Sequence, residues 1–383
     1  MRRAQSSPAA VAAVVLLLYA GWAGWARHLG HDWRDWADVG REFAQRNNAS
    51  ATIRADTRFS ATPLGYDGQF FLYIAQDPTH ARASIDDVGY RYGRIGYPIA
   101  AYALALGRPA AVPLMLVLLN IAAVAGGTWC VAVWLRRRGL SVWLALLYAA
   151  FPGVVFAVWR DLSETLAYSL AAAALIVFDA RRPRALAASS ALFAAAALTR
   201  ETVLLFAFVW AAALVAQRRP RAAALFALGA AVPYVAWRVF IRVWLGYAGF
   251  PAQTRPTLLP FRGIMSWFPW DGAELQRIYS VFLPGLFCVG LAGYALYRGA
   301  REPAVWALLL NALVFVVFLP AAAYNEWKSA GRLSTGIVLA LLLSLPALGR
   351  VLPVSRTWLW VPVVAWFAPW WGLVSTILEA GWD

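Results

Sequence analysis

Four short stretches of this chain hold the residue types that proton transfer and anion recognition need. The first, Gly65-Tyr66-Asp67-Gly68-Gln69-Phe70-Phe71-Leu72, sets one acid ahead of an aromatic run. It reads as the start of a short amphipathic helix lying on a membrane surface. Asp67 there is either an N-cap that accepts from free backbone N–H groups, or a general base whose proton affinity is lifted by burial among aromatics. The second, Trp159-Arg160-Asp161-Leu162-Ser163-Glu164-Thr165, has the acid spacing of a capping box. Capping leaves Arg160 unexplained and puts Glu164 about 4.5 Å further along the helix, where an acid should face a polar cavity. The third, Leu198-Thr199-Arg200-Glu201-Thr202, places two charges in a tight connector between apolar runs, either to bind substrate or to pair with Arg160 and Asp161. In the fourth, Tyr324-Asn325-Glu326-Trp327-Lys328-Ser329-Ala330-Gly331-Arg332, Lys328 and Arg332 would share one helical face. Such a pair suits phosphate binding at a helix N-terminus or snorkelling to the interface. Arg91-Tyr92-Gly93-Arg94-Ile95-Gly96-Tyr97-Pro98 adds a further basic and aromatic cluster. Cys130 and Cys288 lie in apolar runs, and His28, His31 and His80 lack ligand spacing. Neither a metal nor another cofactor is therefore expected, and the spacing gives a divalent cation no support.

The elements that must position these residues are membrane helices. Of the 383 residues 62% are hydrophobic and 14% charged, which excludes an ordinary soluble domain. A net charge of +15 would suggest nucleic acid in another context; beside such apolar runs the counter-charge is membrane phosphate. A first run to about Ala26 reads as an uncleaved span rather than a signal peptide. Further runs cover 109 to 135, 140 to 159, 162 to 179, 184 to 199, 202 to 217, 222 to 245, 278 to 297, 303 to 320, 333 to 349 and 357 to 377. The expectation is an all-α polytopic membrane protein with about eleven transmembrane helices. No strand-like alternation supports a barrel.

Arg136 to Arg138, Arg181, Arg182, Arg184, Arg218, Arg219, Arg221, Arg298, Arg301, Arg350 and Arg356 fall in alternate connectors, which the positive-inside rule makes cytoplasmic. The opposite connectors hold Arg160, Arg200, Lys328 and Arg332, together with most of the acids. Residues 95 to 107 are too few to span, so they read as a half-membrane helix. One integral-membrane domain, 1–383, then has a cytoplasmic N-terminus, a first external loop at 27–108 carrying interfacial helices, and a second at 246–277. Chemistry is expected outside.

This arrangement resembles the GT-C superfamily of integral-membrane glycosyltransferases. More narrowly, Tyr66-Asp67-Gly68-Gln69-Phe70 with Asp77-Pro78, the stretch Arg91 to Pro98, and Leu198-Thr199-Arg200-Glu201-Thr202 look like a bacterial GT-C family of cell-surface glycopolymer formation. The resemblance covers essentially the whole chain. It implies a polyprenyl-phosphate-linked sugar as donor, a glycan, lipid or protein acceptor, and a site facing the outside of the bacterial inner membrane. It also implies Asp67 as catalytic base with inversion, and Arg200, Lys328, Arg332 and Arg94 near the leaving phosphate. Tyr97 and Arg160 would belong to the substrate site, with Asp161, Glu164 and Glu201 binding sugar hydroxyls or orienting the arginines. The chain departs from the adjacent paired acids of many relatives, because Asp67 stands alone and Asp86-Asp87 follows well downstream. The alternatives are a lipid-linked-sugar flippase, which would need broken helices and internal repeats, and a polysaccharide polymerase, which shares the donor chemistry.

Overall fold

Proline and glycine punctuate the apolar runs, and helices form between them. A computed structural model describes residues 7–55, 58–246, 257, 259–266, 268, 269, 272, 275, 278–321 and 331–352. The helices that matter for the site are α1 (Pro8–His28), α2 (Gly68–Gln76), α3 (Val88–Tyr92), α4 (Gly96–Leu104), α5 (Val112–Arg136), α6 (Pro152–Trp159) and α7 (Glu164–Val177). They continue with α8 (Pro183–Thr199), α9 (Leu204–Ala216), α10 (Pro220–Leu245), α11 (Leu283–Tyr297), α12 (Pro303–Ala312) and α13 (Thr335–Val351). Several begin with proline in the first turn, where its missing N–H costs no hydrogen bond.

Among the described residues, 4 helices are long and apolar enough to cross a membrane: Pro8–His28, Pro109–Arg136, Pro220–Leu245 and Gly331–Val351. A fifth span would be the pair Val142–Ala149 and Pro152–Trp159, bent by 53°. The described residues thus form an all-helical structure with membrane-embedded character. Helices occupy each expected range up to 349, although several are shorter than a full crossing, and the range 357 to 377 lies outside the described residues. The break inside 140 to 159 follows from Phe151-Pro152: proline cannot donate and its ring disfavours a helical residue before it.

Helix α5 is the hub, packing against α1, α4, α7 and α13. Its buried positions surround the axis, as in a helix enclosed by others. The outer helices carry lipid-type faces instead: Leu17 of α1 is 72% exposed and Val243 of α10 is 81% exposed. α7 and α8 form an antiparallel pair, α8 packs on α10, and α12 on α13.

One expectation for the first loop is corrected. α2 does not lie amphipathically on a surface, because every residue from Gly68 to Gln76 is buried. Its start is pressed against the connector after α6, where a Cβ on Gly68 would collide with the Arg160 carbonyl oxygen and meet that of Ala37 at 3.0 Å. Gln69 then ties the loop together. Its Oε1 accepts from the Gly40 N–H at 3.0 Å, and its Nε2 donates to the Leu64 carbonyl at 2.6 Å. The run from 95 to 107 holds α4, which buries Tyr97, Pro98 and Ala101 while Leu104 and Leu106 stay exposed.

Candidate functional site

The charged residues of the first loop and of the α7 and α8 termini meet in one network. Asp67 sits just before α2 and makes no capping hydrogen bond, so the N-cap reading fails. Its two oxygens go instead to arginines: Arg91 Nη2 donates to Oδ1 at 2.8 Å and Arg332 Nη2 to Oδ2 at 2.5 Å. Arg91 also grips Asp86, through Nε at 2.9 Å and Nη2 at 2.7 Å. Arg332 reaches on to Glu164, with Nε 3.6 Å from Oε1, and Arg200 Nη1 lies 2.7 Å from that same oxygen. Arg94 holds Glu201 at 3.0 Å. Residues from five separate stretches thus form a chain running Asp86, Arg91, Asp67, Arg332, Glu164, Arg200, with the Arg94–Glu201 pair beside it.

Local structure explains why these side chains converge. Asp87 accepts from the Tyr90 N–H at 2.8 Å and starts α3, whose single turn presents Arg91 toward Asp67. Arg91 lies over the Phe70 ring at 4.5 Å, Arg94 over Tyr90 at 4.2 Å, and Arg332 over Tyr66 at 5.5 Å, so aromatic faces orient three of the guanidiniums. Gly96 lets α4 approach the end of α8, since a Cβ there would meet Thr199 Oγ1 at 2.5 Å. That approach brings Arg94 to Glu201.

The electrostatics of Asp67 differ from the expectation of a lifted proton affinity. Burial does push the carboxyl up, but the Arg91 and Arg332 guanidiniums overcome it and hold Asp67 well below the usual carboxylate range. It is therefore ionised and, while both arginines hold it, a poor base.

Other expectations are also revised. Asp161 and Glu164 form no capping box; α7 begins after Ser163, whose side chain makes no cap hydrogen bond. Asp161 adopts a left-handed φ of 46°, which turns its side chain inward toward Tyr97 Oη at 3.4 Å. Tyr97 in turn accepts from Asn120 Nδ2 at 2.6 Å. Asp161 Oδ2, Ser163 Oγ and Thr165 Oγ1 are buried with no protein hydrogen-bond partner, a rare concentration of unsatisfied oxygens. The suggested pairing of Arg200 and Glu201 with Arg160 and Asp161 does not form. Arg160 turns away to Asp38 at 3.6 Å and to the Trp159 ring. Lys328 lies outside the described residues.

Sequence reasoning placed Arg91 inside a motif but gave it no role, and passed over Asp86 as a binding residue. Asn120 carried a usable signal, as a lone amide within the 25 residues of α5. Nothing in the sequence marked Asp38. Among the described residues no group of three or more His, Cys, Asp or Glu converges in a way that could hold a metal ion.

The chain matches no protein-family model, no curated protein and no solved structure. What it can do is therefore argued from its own geometry.

Proposed function

We propose that the protein is a membrane glycosyltransferase of GT-C type. In this reading it moves a sugar from a polyprenyl-phosphate-linked donor to a cell-envelope glycan, lipid or protein acceptor, outside the bacterial cytoplasmic membrane. The observation that carries the reading is the buried network in which one carboxylate, Asp67, shares Arg332 with Glu164, and Glu164 also holds Arg200. Burying so many charges is expensive, and such clusters are poor devices for stability; they suit a site that must receive an anion.

The acceptor hydroxyl loses its proton to Asp67 as its oxygen attacks the anomeric carbon. The bond from that carbon to the phosphate oxygen breaks, and its electron pair leaves with polyprenyl phosphate. Arg332 and Arg200 stabilise the charge growing on the leaving group. The donor phosphate competes with Asp67 for Arg332, so donor binding removes one of the two cations that make Asp67 a weak base. Asp161, Ser163 and Thr165 supply oxygens for sugar hydroxyls, and Glu164 and Glu201 keep the arginines aimed.

The test is transfer from a polyprenyl-phosphate sugar by protein in nanodiscs. Asp67→Asn should lose transfer by about 10²-fold or more, while Asp67→Glu, which keeps the charge, should fold and retain measurable turnover. Undiminished transfer in Asp67→Asn would remove it as the base. A second reading, a lipid-linked-sugar flippase, is favoured by the bent pair Val142–Ala149 and Pro152–Trp159. Flipping of a fluorescent lipid-linked sugar with no cleavage of the donor would select it.

A further inference from the structure

A cleft of about 420 Å³ lies alongside this network, lined by Arg82, Asp86, Asp87 and by Val88 and Gly89 of α3 on one side and by Trp244 and Leu245 of α10 on the other. Its volume is within the range of small-molecule sites. The walls are fixed. Arg238 Nη1 donates to the Gly89 carbonyl at 2.9 Å and Trp237 Nε1 to that of Tyr92 at 2.7 Å, which binds α3 to α10. Trp244 ends an aromatic ladder: it stacks on Phe240 at 5.9 Å between centroids, Phe240 stacks on Trp237 at 5.2 Å, and Tyr92 meets Trp244 edge-on at 5.2 Å. The indole is held rigid, so a ligand that packs against it loses little side-chain entropy.

The lining narrows the ligand's chemistry. Two carboxylates facing one guanidinium disfavour a phosphate or lipid headgroup, and they are too polar for a hydrocarbon tail. A flat aromatic wall beside carboxylate acceptors and a guanidinium donor fits a neutral polyhydroxylated ring, whose C–H face packs on the indole while its hydroxyls meet the polar groups. Asp86 belongs both to this lining and to the grip on Arg91, and Arg91 holds Asp67. The cleft is one arginine away from the proposed base.

We propose that this cleft binds a neutral sugar unit of a glycan acceptor. The proposal rests on the transferase reading and narrows its acceptor to a glycan. Saturation-transfer NMR on the full chain in nanodiscs, with maltotriose, mannotriose and cellotriose as probes at millimolar concentration, tests it. At least one trisaccharide should receive saturation. Trp244→Ala should cut the signal at least tenfold, Trp244→Phe should keep part of it, and Arg82→Ala, at an exposed side chain, should weaken it about threefold without moving the thermal transition. Trp306→Ala, at a 47% exposed position on α12, should change nothing. No signal from any trisaccharide, or an undiminished one in Trp244→Ala, overturns the proposal. Cleavage of a polyprenyl-phosphate sugar is followed in parallel: cleavage without saccharide binding removes the cleft and leaves the transferase, whereas saccharide binding without cleavage leaves a sugar-binding cleft and removes the transferase.

Discussion

Asp67 is held by two guanidiniums at once, and an acid held in this way gains basicity when either leaves. Arg332 is the one to remove, since Arg91 is also committed to Asp86 while Arg332 bridges Asp67 and Glu164. A lysine cannot span that bridge, because an ammonium is a point charge rather than a planar fork. Arg332→Lys should therefore lower kcat/KM for the donor by about 10²- to 10³-fold, the loss typical of one transition-state donor, with the protein still inserted. Arg332→Gln goes further: with one cation gone, the proton affinity of Asp67 rises, so its ionised form is lost at a higher pH. The acid limb of the kcat/KM profile should move upward in pH relative to wild type. A profile with an unshifted acid limb would disconnect Arg332 from Asp67. Either variant leaves a buried acid short of a partner, a change that costs about 3 to 5 kcal/mol when a buried pair is broken, so thermal unfolding belongs beside the kinetics.

At the scale of elements, the positions of the helices were legible and their partners were not. Apolar runs bounded by proline and arginine marked where α5, α8 and α10 lie, because helix-forming stretches of that composition have few alternatives in lipid. The candidate residues Asp67, Arg94, Glu164, Arg200, Glu201 and Arg332 do come together. Their pairing was hidden because it crosses long stretches of chain: Arg94 and Glu201 are separated by 107 positions, and Asp67 and Arg332 by 265. Arg160 and Asp161 part for a local reason, since the left-handed turn at Asp161 sends the two side chains to different neighbourhoods. α2 was misjudged because its mixed aromatic and polar pattern looks amphipathic, while Gln69 satisfies its polar atoms internally. The buried α2 makes a prediction of its own. Gly68→Ala adds a Cβ against the Arg160 carbonyl, and such overpacking costs about 1 to 3 kcal/mol and shifts the backbone. Asp67 precedes that glycine, so Gly68→Ala should lower the unfolding temperature and reduce donor turnover together. Gly126→Ala in α5, where a Cβ meets open space, should do neither. Equal behaviour of the two variants would mean that the approach of α2 to the connector does not position Asp67.

Across the whole molecule the charges separate by end. α7 runs from Glu164 to Val177 and α8 returns from Pro183 to Thr199, so the acids and arginines of the network lie at one end of this pair and the arginine-rich connector at the other. At a rise of about 1.5 Å per residue, a helix of the length of α8 covers most of the hydrocarbon thickness. The opposite end is tied by its own contacts. Arg137 Nη1 donates to the Ile176 carbonyl at 3.1 Å, Asp179 pairs with Arg182 at 3.4 Å, and Glu302 pairs with Arg350. These are the connectors that the positive-inside rule assigns to the cytoplasm, and their acids Asp179 and Glu302 are paired locally with arginines. Within the network each arginine has an acid, and the four cations Arg91, Arg94, Arg200 and Arg332 are matched by Asp67, Asp86, Glu164 and Glu201. A neutral network exchanges one anion for another without a large field, which suits arrival and departure of a phosphate better than a bare basic patch would. The topology this requires is testable in intact cells, because Cys130 and Cys288 are buried and give little background. A cysteine replacing Thr79 in the first loop should react with an impermeant maleimide, and one replacing Arg137 should react only after the membrane is opened. The reverse pattern would put the network in the cytoplasm, where nucleotide sugars are available, and would remove the reason for a polyprenyl-linked donor.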